Sequence, residues 1–425
     1  MKLLIKNGIL IEPSKNIEKK LDLLIENGKI VKITDKINLK NVETINAKNC
    51  VVSAGLIDIH THLREPGNEE KETIASGTKA AACGGITSVF CMPNTNPPID
   101  DQASVEFVML KAKSEGVVNV FPVGAVTKNR QGEELTEIGE LKKAGVVAIS
   151  DDGEPISSSK IMRRALEYSK MFNLPVISHC EDKSLSKGGV MNEGRVSALL
   201  GLRGIPKEAE EIMVIRDIIL ASLTGGILHL THLSTKKSIE FVKQAKEQKL
   251  NVTCDVTPHH MFLTEDYLEK YPYDTNFKMN PPLRTEEDVE ALIDAVKDDI
   301  VDCIASDHAP HTVEEKNKEF DLAPFGIIGL ETLLPLCITF LYHKHKIPLS
   351  KILTKLTNNP AKIFSLSNKG KIELGYDADI VIFDPNEEYV LKNFVSKSSN
   401  SPFIGWKLKG KVKYSICNGK VVFKG

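Results

Sequence analysis

No C-x-x-C pair, no basic cluster and no long apolar run occurs in this 425-residue chain. Each absence removes a class of protein. The eight cysteines, at 50, 83, 91, 180, 254, 303, 337 and 417, are scattered, and several sit inside apolar runs such as Val301-Asp302-Cys303-Ile304. They read as small buried residues of a reducing, cytoplasmic compartment, not as a disulfide framework. Cys180 adjoins His179, but neighbours on a strand face opposite sides, which argues against a cysteine nucleophile. No apolar run approaches the roughly 20 residues that span a bilayer. Lys2-Leu3-Leu4-Ile5-Lys6-Asn7-Gly8 is too short and too charged for a signal peptide. A net charge of -2 gives no sign of a nucleic-acid partner.

What is present is an ordinary globular composition, 41% apolar and 26% charged. The two ends are strand-like. Asn27-Gly28 and Asn418-Gly419 each separate two apolar segments, a strong signal for a two-residue hairpin. Neither end is large enough for its own core, so the two are expected to form one small β domain together. The middle alternates short apolar runs with helical stretches. The runs are 51–59, 87–91, 118–123, 146–149, 175–178, 227–231, 251–256 and 301–305. Helical spacing falls at 71–83, 157–172, 207–223 and 286–296. Eight β-α units in this length indicate an α/β fold, a (β/α)8 TIM barrel, with a small β-sandwich built from both chain ends. The expected division is 1–52 and 366–425 for the small domain and 53–365 for the barrel.

In such barrels, catalytic groups gather at the C-terminal ends of the strands. His60 and His62 close the first run, and side chains at i and i+2 share a face of a strand. Asn94 follows the second run, Asp151 and Asp152 the fourth, His179 the fifth, His232 the sixth, His259 and His260 the seventh, and Asp307 the eighth. Four histidines and two aspartates exceed the three protein ligands of a mononuclear catalytic zinc. They suit two metals that share a carboxylate and activate water near neutral pH. Spacing leaves Asp151 and Asp152 both open as the shared group. Asp307 could hold a metal and still carry a proton.

The chain carries Asp58-Ile59-His60-Thr61-His62-Leu63-Arg64-Glu65-Pro66-Gly67, Met92-Pro93-Asn94-Thr95, Ser150-Asp151-Asp152-Gly153, His179-Cys180-Glu181, Thr231-His232-Leu233-Ser234, Thr257-Pro258-His259-His260, Met279-Asn280-Pro281-Pro282-Leu283-Arg284, Ser306-Asp307-His308-Ala309-Pro310-His311 and Ala323-Pro324-Phe325-Gly326. Together these motifs resemble the amidohydrolase superfamily and, within it, the class I dihydroorotases of pyrimidine biosynthesis. The resemblance covers essentially the whole chain. It implies two zinc ions per subunit, one held by His60, His62 and Asp307, the other by His179 and His232, with Asp152 between them. Many amidohydrolases have a carboxylated lysine at the tip of the fourth strand. Ser150-Asp151-Asp152 departs from that and matches the class I dihydroorotases. Ala54 replaces a proline common before the glycine and touches no chemistry.

The resemblance further implies the zinc-dependent reversible cyclisation of N-carbamoyl-L-aspartate to dihydroorotate, with a metal-bridging hydroxide as nucleophile and Asp307 as general acid and base. Arg64, Asn94 and His311, beside His62, would bind the substrate carboxylate. Asn280 and the backbone at Phe325-Gly326 would read the ureide edge. Residues 309–326 are expected to be either a lid over the site or a solvated surface loop. Alternatives are another cyclic-amide hydrolase (an allantoinase, hydantoinase or dihydropyrimidinase) and a non-catalytic scaffold for aspartate transcarbamoylase. The expected partner is a small-molecule substrate, with no nucleic acid and no membrane. A homodimer and association with aspartate transcarbamoylase stay open.

Overall fold

The apolar run that leads into His60 is two strands, not one. The computed structural model describes residues 2–425; in it Val51–Ala54 and Leu56–Thr61 belong to different sheets. Gly55 makes the change of sheet. A Cβ there would lie 2.1 Å from Thr87 Oγ1, and its N–H donates to Asp379 O at 2.8 Å. The continuous strand expected over 51–59 is therefore divided. Both halves are buried, so their apolar character carried no mark of the break except the glycine.

The chain begins with β1 (Lys2–Lys6), β2 (Ile9–Glu12), β3 (Ile17–Lys20), β4 (Asp22–Glu26), β5 (Lys29–Thr34), β6 (Glu43–Asn46) and β7 (Val51–Ala54). Asn27-Gly28 forms the expected turn, with Glu26 paired to Lys29. Both turn residues have positive φ, 50° and 80°, as a type I′ hairpin requires. Next come β8 (Leu56–Thr61), β9 (Ile86–Cys91), β10 (Asn119–Gly124), β11 (Ala148–Ile149) and β12 (Val176–Ser178). A small pair, β13 (Met191–Asn192) and β14 (Gly204–Ile205), precedes β15 (Leu228–Leu230), β16 (Val252–Val256) and β17 (Cys303–Ile304). The chain ends in β18 (Ile380–Val390), β19 (Lys407–Cys417) and β20 (Lys420–Lys424).

Eight strands pair in parallel in the order β8-β9-β10-β11-β12-β15-β16-β17. Above the strands the seam is drawn together by His62 N–H donating to His308 O at 2.9 Å and Ser306 N–H donating to Asp58 Oδ1 at 3.0 Å. The first and eighth strand tips are thus neighbours in space. The expected helices surround the sheet at Ile74–Cys83, Ser159–Lys170, Glu208–Thr224 and Glu286–Lys297. Their starts follow sequence rules: Thr73 caps the first and Ser158 the second, each accepting from a backbone N–H of the first turn.

The barrel interior is filled by Ile57, Ile59, Phe90, Val123, Ile177 and Phe364, among others. Strict alternation after Ile57 and Ile59 would turn His60 away from that interior. The register shift between Asp58 and Thr61 re-aims it, a frequent use of strand irregularities beside active sites.

The small domain is a sandwich of two sheets, ordered β5-β4-β1-β6 and β20-β19-β18-β7-β2-β3. Leu3, Ile5, Leu23 and Ile25 of one face Val52, Ile380, Ile382 and Ile416 of the other. C-terminal β18 runs antiparallel to N-terminal β7, with Ile380 opposite Ala54, so both chain ends build one sheet. The two hairpin turns meet: a Cβ on Gly419 would lie 2.7 Å from Gly28 Cα. A boundary at residue 52 falls inside β7, and the handover to the barrel is at Gly55. Among the described residues no helix is long and apolar enough to cross a membrane.

Candidate metal centre and substrate pocket

Five buried side chains from four strand ends, with the slightly more open Asp307, converge at one mouth of the barrel. Asp152 lies between the histidines. Its Oδ2 is 3.1 Å from His60 Nε2 and 3.6 Å from His62 Nε2. Its Oδ1 is 3.7 Å from His179 Nδ1 and 3.5 Å from His232 Nε2. Asp307 Oδ1 lies 3.2 Å from His62 Nε2 and 3.6 Å from His60 Nε2. Asp151, the other candidate, turns away and accepts from the N–H groups of Val126 and Thr127 at 2.8 and 3.0 Å. Only Asp152 of the two enters the cluster.

The outer nitrogens fix the inner ones. Thr231 donates its hydroxyl to Asp255 Oδ2 at 2.8 Å and so accepts from His60 Nδ1, also at 2.8 Å. His62 Nδ1 donates to Asn94 Oδ1 at 2.8 Å. His179 Nε2 donates to Glu181 Oε2 at 3.1 Å. In neutral rings these bonds leave lone pairs on His60 Nε2, His62 Nε2 and His179 Nδ1; the first two face carboxylate oxygens, and the third faces His232 Nε2 at 3.0 Å. His60 Nε2 and Asp152 Oδ1 are buried and make no hydrogen bond. A buried set of lone pairs facing lone pairs is costly without a cation at its centre. Burial disfavours charge on His60, yet the Asp152 and Asp307 carboxylates outweigh it and push its pKa up to about 10. The cluster therefore attracts positive charge. Two overlapping sets fit an ion, His60–Asp152–His232 and His60–His62–Asp307. This donor set fits the borderline-soft metals that take imidazole and carboxylate.

Backbone strain accompanies the cluster. His232, Asp307 and Arg64 adopt positive φ of 41°, 48° and 63°. Such conformations cost side-chain-bearing residues energy and gather at functional sites.

A model of the amidohydrolase family matches residues 51–422. The chain belongs to the amidohydrolase family. Among curated relatives it is 54% identical over 426 residues to a dihydroorotase of Endomicrobium trichonymphae, with 100% of both chains covered. It is 51% identical to a dihydroorotase of Caldanaerobacter subterraneus, covering 100% of this chain and 98% of the other. It is 48% identical to one of Aquifex aeolicus, covering 100% of each. Among solved structures, a dihydropyrimidinase from Brevibacillus agri aligns with a TM-score of 0.87 at 25% identity, over 100% of this chain and 95% of that one. An L-hydantoinase from Arthrobacter aurescens aligns with a TM-score of 0.89 at 24% identity, over 99% and 96%, a likeness of fold. By sequence this amidohydrolase groups with the dihydroorotases.

A cavity of about 650 Å³ opens over the cluster, and its walls include Arg64, Asn94, Asn280, His311, Phe325 and Gly326. All six sequence-derived substrate positions outside the metal set thus share one pocket. Arg64 Nε donates to Pro310 O at 3.2 Å, and its Nη2 lies 3.4 Å from His311 Nε2. The remaining guanidinium N–H groups are free to address a carboxylate. Asn94 uses its oxygen on His62 and keeps its NH2. Asn280 Nδ2 donates to Glu181 Oε2 at 3.0 Å. Gly326 differs from expectation, because its backbone is already engaged. Its N–H donates to Lys278 O at 2.9 Å, and its carbonyl accepts from Asn400 and Lys316, both at 3.1 Å. It shapes the wall instead of offering free polar groups to a ligand.

Three functional side chains were not singled out by the sequence. Glu181 braces His179 and Asn280 together and also meets Lys183 Nζ at 3.0 Å. Burial opposes its ionisation, but His179 and Lys183 hold its carboxyl well below the usual range. The signal was available: Glu181 stands two residues after His179. Thr231 and Asp255 orient His60, and Asp255 also accepts from His232 N–H at 2.8 Å and from His229 Nε2 at 2.9 Å. His229 is thereby tied behind the cluster as a partner of Asp255. Cys180 is buried against Ser178 and Asp217. Burial and the Asp217 charge push its thiol well above the ordinary range, which removes it as a nucleophile.

Proposed function

We infer that this amidohydrolase is a dihydroorotase that interconverts N-carbamoyl-L-aspartate and dihydroorotate. The observation that supports this most is the pairing of the Asp152-centred cluster with Arg64, Asn94 and His311 on the adjoining wall. One part suits ring-amide chemistry, and the other suits a ring substituent that is a carboxylate. Hydantoins and dihydropyrimidines lack that substituent as usual substrates, so Arg64 favours this reading over the hydantoinases that share the fold. A non-catalytic scaffold has no need of six converging ligands.

His60, His62 and Asp307 would hold one zinc ion, His179 and His232 a second, with Asp152 shared. Zinc in these positions would lower the pKa of water and polarise the scissile carbonyl. The protein's own groups do the rest. Arg64, with the Asn94 amide and His311, holds the ring carboxylate and so sets which carbonyl faces the cluster. Asn280, braced by Glu181, addresses the ureide edge. In ring opening, an oxygen–carbon bond forms from water to the ring carbonyl as the carbon–nitrogen bond breaks. Asp307 takes the water's proton on its carboxylate and delivers it to the departing nitrogen. In ring closure the protonated Asp307 assists loss of water. The new carboxyl group ionises after opening, so opening releases one proton to solvent.

The free, mostly buried thiols support a reducing, cytoplasmic setting. The experiment is direct: purified protein with zinc is mixed with dihydroorotate, and ring opening is followed by ultraviolet absorbance. Turnover supports the reading, whereas zinc uptake without turnover moves the substrate to another cyclic amide.

A further inference from the structure

Two lysines are buried beneath the segment that walls the pocket, and no step above uses them. Lys278 is 2% exposed and Lys316 is 6% exposed. Lys278 Nζ donates to the carbonyls of Phe320, Asp321 and Ala323 at 2.6, 3.1 and 2.7 Å. Lys316 Nζ donates to those of Pro324 and Gly326 at 3.0 and 3.1 Å. Between them they gather five carbonyls from the short stretch 320–326. Among the described residues neither lysine makes an ion pair. A buried ammonium without a carboxylate is expensive to maintain unless dipoles replace its water, and here the loop carbonyls supply them.

That loop carries the substrate wall. His311 Nε2 is 2.9 Å from Phe325 O, and the Phe325 ring lies 4.7 Å from Lys278 Nζ. Asn400 pins the same segment from the other side, accepting from His311 N–H at 3.2 Å and donating to Ala309 O at 3.0 Å. Of residues 309–326, expected as either a lid or a solvated surface loop, Val313 and Leu322 face solvent while other side chains anchor the segment from within. Lys316 is turned inward, and Phe320 and Ala323 are buried with it.

We propose that Lys278 and Lys316 are positioning residues for substrate binding, holding the carbonyls of residues 320–326 so that His311, Phe325 and Gly326 stand in place around the substrate. The proposal rests on the dihydroorotase reading for its substrate. Neither lysine touches the pocket; each acts through the loop. The charged groups around them are few. Asp274 and Glu315 favour the ammonium of Lys316, Lys278 opposes it, and His311 faces the same charge. Asp321 favours the ammonium of Lys278. Burial dominates, pushing Lys316 down to about 7 and Lys278 down to about 8. An ammonium can donate three hydrogen bonds and a neutral amine only two, weakly. The hold on the loop is expected to slacken as pH rises through that range.

The test is steady-state ring opening of dihydroorotate by the zinc-loaded wild type and by Lys278→Met, Lys316→Met and Lys316→Arg, over about pH 6 to 9. Loss of charge-assisted hydrogen bonds should raise KM roughly tenfold in each Met variant, with a smaller change in kcat. Wild-type KM should climb with pH, while in the Met variants it is high and flatter. Lys316→Arg should recover a low KM that no longer climbs between neutral and alkaline pH to the same extent. A merely structural lysine would lower the melting temperature without changing the pH profile of KM. Wild-type KM in both Met variants, or the full wild-type pH profile in both, overturns the proposal. Should the Met variants fail to fold, a flat wild-type KM overturns it and a climbing one that Lys316→Arg dampens supports it. If the wild type does not open dihydroorotate at all, the functional reading has failed. Limited proteolysis of residues 317–322 in Lys316→Arg and Lys316→Met then decides: unchanged cleavage in both refutes the hold on the loop, and faster cleavage in the Met variant alone supports it.

Discussion

Asp152 points Oδ2 at His60, 3.1 Å from Nε2, and its other oxygen at the His179 and His232 pair, 3.7 and 3.5 Å away. One carboxylate thereby serves both halves of the cluster. Asp152→Ala should reduce bound zinc from about two per chain to one or fewer and lower kcat/KM at least about a hundredfold. Elemental analysis beside the ring-opening assay measures both. Two zinc ions retained by the variant would show that the halves are independent.

Asp255 and Thr231 act on His60 from behind. Replacing Thr231 by Val removes the acceptor that keeps the His60 proton on Nδ1. Zinc affinity should fall about 10- to 100-fold, as is common for groups that orient a metal ligand. A competition titration against a chromogenic chelator reads this without any assay of turnover. Unchanged affinity would mean that packing alone sets the His60 ring.

Arg64 tests the substrate side. Arg64→Lys keeps a charge but loses the planar fork, so KM should rise about tenfold while zinc content is unchanged. Arg64→Met should cost more, roughly a hundredfold in kcat/KM. Equal kinetics for all three proteins would remove Arg64 from carboxylate recognition.

Proton balance fixes a pH effect on the equilibrium. Ring opening releases a proton, so the ratio of open to closed compound should rise about tenfold per pH unit, with closure favoured in acid. Chromatography of equilibrated mixtures at several pH values measures the slope. A ratio independent of pH would exclude the formation of a new carboxylate.

Gly55 tests the junction of the two domains. A methyl group there would meet Thr87 Oγ1 at 2.1 Å, inside a packed region that cannot open cheaply. Gly55→Ala should destabilise the protein by about 1–3 kcal/mol, seen as a lower melting temperature. A melting temperature equal to wild type would show that this contact relaxes freely.

The barrel was legible because its rhythm is local. Most of the short apolar runs are followed by His or Asp, and His60, His62, Asp152, His179, His232 and Asp307 gather at strand ends in space. The hairpins at Asn27-Gly28 and Asn418-Gly419 were equally plain, since their turns need positive φ. Other features depend on contacts distant in sequence. The break at Gly55 hides in a run that is buried on both sides. Thr231 and Asp255 look like common strand residues until they are found behind His60. Nothing in the local sequence marks Lys278 and Lys316 as buried, yet carbonyls 8 to 45 residues away draw them inward. Spacing alone left Asp151 and Asp152 both open and only the resemblance pointed to Asp152; what separates them in space is that Asp151 is taken up by the Val126 and Thr127 N–H groups.

The most direct measurement is dihydroorotate ring opening by the zinc-loaded protein, before and after a chelator and again after zinc is restored. The account predicts turnover, its loss on chelation and its return with zinc. No turnover by the fully loaded protein would contradict it.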